Sequence, residues 1–168
     1  MIRSFNGKTP KIAESAWVSE AAYVIGDVDI GENSGVWPGV VIRGDFASIK
    51  VGSNTQIEDN SVVHSGVPVE IGDNVTIGHS VVVHGIKIGN NCLIGNNATI
   101  LDNAVVGNFC IVGAGCVVNQ GMEIPDSSFV VGVPAEIKGQ VPAERWEQRR
   151  QGRGGYVDLL RRYKEAGL

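Results

Sequence analysis

The chain has no stretch of about 18 apolar residues, the length a membrane-crossing helix needs, so no membrane partner is expected. It has no long block of one charge sign either, and Lys and Arg (14) are outnumbered by Asp and Glu (18). That balance argues against nucleic acid as a partner. The opening residues, MIRSFNGKTP, carry no apolar segment and no cleavage pattern, so no secretory signal is expected and a cytoplasmic location is the default. Cysteine is scarce. Cys92, Cys110 and Cys116 stand at no zinc-finger or redox spacing, and they read as small buried residues.

Glycine, by contrast, is plentiful, with 23 residues spread along the chain. Such a spread prompts a search for internal repeats, and a period of six appears. Ile12, Val18, Val24, Ile30, Val36 and Ile42 lie six apart. Val51, Ile57 and Val63 follow a three-residue insertion, and Ile71, Ile77 and Val83 follow two extra residues. One residue is then missing before Ile88, Ile94, Ile100, Val106, Val112, Val118, Ile124 and Val130. All twenty positions are Ile or Val, although these make up only 41 of the 168 residues.

A helix would need apolar residues at a spacing of about 3.6. Period six suits a short strand plus a corner. The branched residue fills the core, and the fourth residue after it is usually small (Ser34, Thr55, Ser61, Val75, Val81, Cys92, Ala98, Ala104, Cys110, Cys116). Glycine or asparagine relaxes the turn. Three such faces close a triangular coil, and coils stack at the ordinary strand spacing of about 4.7–4.9 Å. The expected fold is all-β, a left-handed parallel β-helix over residues 1–138, with a C-terminal helical segment over 139–168 packed on it. PAERWEQRR and YVDLLRRYKEAGL read as helix, RQGRGG (150–155) as the break between them, and Leu159, Leu160 and Tyr163 as one apolar stripe. The helix covers either the solenoid or a neighbouring subunit, because a bare solenoid invites aggregation. Trp17, Trp37 and Trp146 read as packing residues, and Arg145, Arg149, Arg150 and Arg153 as a solvated face.

Only three histidines occur, His64, His79 and His84, all within 21 residues of one another. His64 follows Val63 and His84 follows Val83, so the register puts both on the same corner of adjacent coils. Arg43, after Ile42, belongs to the same column one coil earlier. His79 follows Ile77 by two and falls on another face, where Asp59 precedes it by one coil. In a threefold homotrimer one corner meets a different corner of the neighbour. His79 of one chain then completes the His64–His84 pair of the next, and Asp59 faces Arg43. Stacked histidines can also serve packing alone. Three neutral imidazoles with an open fourth position suit catalytic zinc, and other divalent metals fit as well.

The runs IRGDFASIKVGSNTQIEDNSVVHSG and IGDNVTIGHSVVVHG resemble the γ-class carbonic anhydrases and their bacterial relatives. The likeness extends from roughly residue 10 to residue 165. The hexapeptide repeat is shared with acyltransferases, so the specific part is the spacing of the histidines with Arg43, Asp45 and Asp59. The resemblance implies a homotrimer with one metal per interface, zinc with cobalt or iron(II) as alternatives. It implies an interface ion-pair cluster of Arg43, Asp45 and Asp59, and a metal-bound hydroxide that hydrates carbon dioxide to bicarbonate. Glu58 stands where many members carry a water-orienting glutamine. Gln56 is not its substitute, since it lies nearer the core-facing phase. Tyr156 resembles a tyrosine that shorter members place near the site. Two further features depart from the family. Phe46 follows Asp45 where a glutamate is usual, and SGVPVE (Ser65 to Glu70) replaces a long acidic loop carrying the proton shuttle. Two alternatives follow: an acyl-CoA thioesterase or acyltransferase of the same superfamily, and a weakly catalytic or structural metal-binding assembly subunit.

Overall fold

The computed structural model describes residues 1–148 and 155–168 in full and, of 149–152 and 154, the backbone alone. The expected coil forms. It is a left-handed parallel β-helix of about seven turns with a short C-terminal helical part. The first face carries Val18, Val36, Ile57, Ile77, Ile94, Val112 and Val130, each paired in parallel register with the next. Val24, Ile42, Val63, Val83, Ile100 and Val118 line the second face, and Ile2 starts it one coil before the repeat is visible in sequence. Ile12, Ile30, Val51, Ile71, Ile88, Val106 and Ile124 line the third. The insertions and the deletion are absorbed at corners, and the register survives all of them.

Nearly every member of these columns is buried, and most have no exposure at all. Each buried branched side chain contributes about 1.5–3 kcal/mol by leaving water. The small positions Ser34, Thr55, Ser61, Cys92, Ala98, Ala104, Cys110 and Cys116 are fully buried beside them. The hydroxyls among them are satisfied by the neighbouring coil: Ser61 Oγ donates to the Gly78 carbonyl at 2.8 Å and Thr55 Oγ1 to that of Gly72 at 2.8 Å.

Glycine and asparagine divide the corner work that the sequence assigns to both. The left-handed turn conformation falls chiefly to asparagine, with φ near 53–60° at Asn33, Asn54, Asn74, Asn91 and Asn97. The glycine after the aliphatic residue serves close approach instead. A Cβ at Gly52 would sit 2.6 Å from the Gly72 carbonyl carbon, so any larger residue would push the coils apart. Asp73, Asn90, Asn108 and Asp126 form a ladder along this corner, each side chain accepting from the backbone N–H of the coil before it at 2.7–2.8 Å.

The last strand, Glu136–Gln140, spans the boundary expected at residue 138 and turns back antiparallel on Ser128–Val131. Two helices follow, α1 (Ala143–Gly152) and α2 (Gly154–Glu165). The expected break falls in large part outside the fully described residues, as do the side chains of Arg149, Arg150 and Arg153. Arg145 is exposed. Trp146 of α1 packs on Ile111 and Val141. α2 lies on the first face of its own chain, where Leu160 joins Trp17 and Trp37, flanked by Leu159 and Tyr163. Trp17 Nε1 donates to the carbonyl of Leu168 at 2.7 Å. Gly35 leaves the room for this, because a Cβ there would meet Leu160 Cδ2 at 2.7 Å. No helix among the described residues is long and apolar enough to cross a membrane.

Leu160→Ala should cost about 2–5 kcal/mol of docking free energy. Hydrogen exchange checks this: amides of α2 should lose protection while those of the solenoid core keep theirs.

Candidate metal centre

The register delivers the histidines as the period implies. Arg43 pairs with His64 across the second face, and Val63 pairs with Val83. The His64 and His84 rings therefore meet edge to face, with centroids 5.4 Å apart and planes at 60°. His79 stands on the other corner beside Asp59, half exposed, with Nδ1 3.1 Å from Asp59 Oδ2.

The corner insertion after Ile42 carries Asp45 to this site. Arg43 Nη1 donates to Asp45 Oδ2 at 2.6 Å. The other oxygen, Oδ1, lies 3.2 Å from His64 Nε2, yet the pair is not aligned for a hydrogen bond, and both atoms are buried without one. A buried nitrogen without a partner costs about 1–3 kcal/mol, so its persistence asks for an occupant. Burial, and next the Arg43 charge, hold the His64 imidazole below its ordinary value against the opposing pull of Asp45. The neutral ring is the form that donates a lone pair to a metal. The donors present, two adjacent imidazoles with carboxylates behind them, fit a zinc-like ion. Among the described residues, however, no group of three or more His, Cys, Asp or Glu side chains converges within this one chain.

Glu58 is buried although it is a carboxylic acid. Its Oε1 accepts from the Tyr156 hydroxyl at 2.6 Å, and its Oε2 lies 3.2 Å from His79 Nε2. Tyr156 reaches it from α2, its ring edge-on to Trp37 at 5.8 Å. The two candidate catalytic residues, 98 positions apart, thus touch. Gln56 departs from the expected core-facing phase. It points outward and is buried beneath α2, accepting from Trp37 Nε1 at 3.0 Å. Phe46 is 77% exposed, its ring 5.7 Å from that of His64, and so puts an apolar surface where the family pattern has an acid. Sequence reasoning passed over Asp102. Its Oδ1 lies 3.0 Å from His84 Nδ1. The signal was available, since Ile100 stacks on Val83 and Asp102 follows two residues later.

Residues 85–120 match the family model "Bacterial transferase hexapeptide (six repeats)". The chain is 45% identical over 64 residues (38% of its length) to a carbonic anhydrase of Geobacillus kaustophilus. It is 51% identical over 57 residues (34% of its length) to the mitochondrial gamma carbonic anhydrase 1 of Arabidopsis thaliana. The matched segments span 35% and 21% of those two proteins. A crystal structure of a hexapeptide transferase family protein from Anaplasma phagocytophilum superposes with a TM-score of 0.91 at 34% identity, covering 96% of this chain and 97% of that one.

Tyr156→Phe removes the hydroxyl from a buried carboxyl group, and a bond of this kind contributes about 1.5–3 kcal/mol. Chemical denaturation of the purified variant should show a loss in that range, and Glu58→Ala should abolish the difference between Tyr156 and Phe.

Proposed function

We propose, from the premise that this chain belongs to the hexapeptide-repeat family among its γ-carbonic-anhydrase-like members, that it hydrates carbon dioxide to bicarbonate at a metal site shared between the subunits of a homotrimer. The observation that carries the reading is the adjacent His64–His84 pair with a buried, unbonded His64 Nε2, together with His79 on a different corner of the coil that carries His84. His64 and His84 would come from one subunit and His79 from the next. A zinc ion held there, or cobalt or iron(II) in its stead, supplies the Lewis acidity that brings the ionisation of water close to neutral pH.

The chain's own residues do the rest. Arg43 holds Asp45 at 2.6 Å, and both lie at the corner where the subunits would meet, with Asp59 of the neighbour as a further partner for Arg43. Glu58 is fixed by Tyr156 next to His79. A carboxylate so placed can orient water and also accept its proton, and a glutamine cannot do the latter. Phe46 beside His64 lines the approach with apolar surface, which suits a small nonpolar substrate and replaces the usual acid. With the acidic loop reduced to Ser65–Glu70, proton export to buffer through Glu58 becomes the slow step.

One observation favours a second reading. The hexapeptide transferase family protein matches nearly the whole chain, so a thioester or acyl group is the rival substrate. A purely structural metal is the third.

Two single variants test the shared site. His64→Ala and His79→Ala should each lose zinc and carbon dioxide hydration to background. Co-expressed, the two chains should regain both, because an interface with His64 and His84 on one side and His79 on the other is then whole. Failure to regain zinc contradicts the shared site. Zinc without hydration, but with thioester cleavage, supports the rival substrate.

A further inference from the structure

All three histidines have a carboxylate oxygen at 3.0–3.2 Å: Asp45 at His64, Asp59 and Glu58 at His79, and Asp102 at His84. The first three carboxylates already have places in the reading above. Asp102 does not. It is 18 residues beyond its partner, on the next coil. We infer that Asp102 is a positioning residue for His84: it fixes the ring in the tautomer protonated at Nδ1 and so presents Nε2 as the lone-pair donor. This inference rests on the metal-centre reading for its purpose, though not for its geometry.

The chemistry follows from the groups themselves. A carboxylate only accepts hydrogen bonds, so the hydrogen in the 3.0 Å contact belongs to Nδ1. A neutral imidazole carries one hydrogen, and Nε2 is then left bare. His79 differs, because carboxylates face both of its nitrogens, Asp59 at Nδ1 (3.1 Å) and Glu58 at Nε2 (3.2 Å). At His84 a single carboxylate faces a single nitrogen, and that fixes the tautomer. Partners of this kind fix ring orientation and raise ligand basicity.

The backbone holds Asp102 in place independently of its side chain. Its carbonyl accepts from Gly121 N at 2.8 Å, and Asn103 after it takes the left-handed turn, φ 58°. Leu101 N donates to the Val118 carbonyl at 3.0 Å. The carboxylate is about half exposed, so removing it leaves the core columns untouched and the solenoid should fold without it.

Two variants and two readouts decide the matter. In metal-free protein at mildly alkaline pH, where imidazoles are neutral, long-range proton–nitrogen spectra of the wild type should show His84 with hydrogen on Nδ1. Asp102→Ala should shift His84 toward the Nε2-protonated form that free histidine favours, and Asp102→Asn, which keeps an acceptor oxygen, should restore the Nδ1 form. Zinc affinity measured by chelator competition should fall roughly 10–100-fold in Asp102→Ala and recover in part in Asp102→Asn. A wild type with His84 protonated at Nε2, or an Asp102→Ala chain with unchanged zinc affinity, overturns the inference. A wild type that binds no zinc but shows the Nδ1 form supports the orienting role of Asp102 and overturns the metal centre instead.

Discussion

The constraint on which everything else rests is the stacking of each branched aliphatic side chain on its equivalent one coil away. Ile57 on Ile77 on Ile94, or Ile42 on Val63 on Val83, can be buried only if every strand keeps its phase. A slip of one residue would turn the core outward. Because the phase is held so tightly, whatever follows a core residue is placed as well. His64 after Val63 and His84 after Val83 come together without any contact of their own having to draw them. Stability and site are thus the same register seen from inside and outside the coil.

The outer surface then adds what the core does not determine. α2 covers the first face through Trp17, Trp37 and Leu160, and in doing so brings Tyr156 to Glu58. A buried carboxylic acid would otherwise be costly. Here the phenol satisfies one oxygen, and His79 stands next to the other. Helix docking and the arrangement around His79 are therefore linked through one side chain. On the other corner, Arg43 anchors Asp45 against His64. The local burial, and next the Arg43 charge, favour a neutral imidazole at His64.

The residue order shows the solenoid almost completely, because a six-residue beat with counted insertions is a one-dimensional code. The columns follow it through every break, and the His64–His84 adjacency with it. What it hides depends on contacts between distant segments or between the coil and its covering. Gln56 has an outward phase but is buried, because the C-terminal helix α2 lies over it. The Tyr156–Glu58 bond joins a repeat to a non-repeat, so no period announces it. Asp102 is an intermediate case. Its place one coil from His84 follows from the beat, but its side chain turns back toward His84 only because of the corner it occupies. Glycine is a similar lesson: the count suggests turn flexibility, whereas Gly52 is needed for close approach and Asn54 makes the turn.

A three-histidine centre that no single chain can complete is the central claim. Its most direct test is anomalous diffraction at the zinc edge from crystals of the zinc-loaded assembly. The account predicts one zinc peak per subunit interface, bonded by His64 and His84 of one chain and His79 of another. A peak bound within a single chain, or no peak near these rings in fully loaded protein, would contradict it.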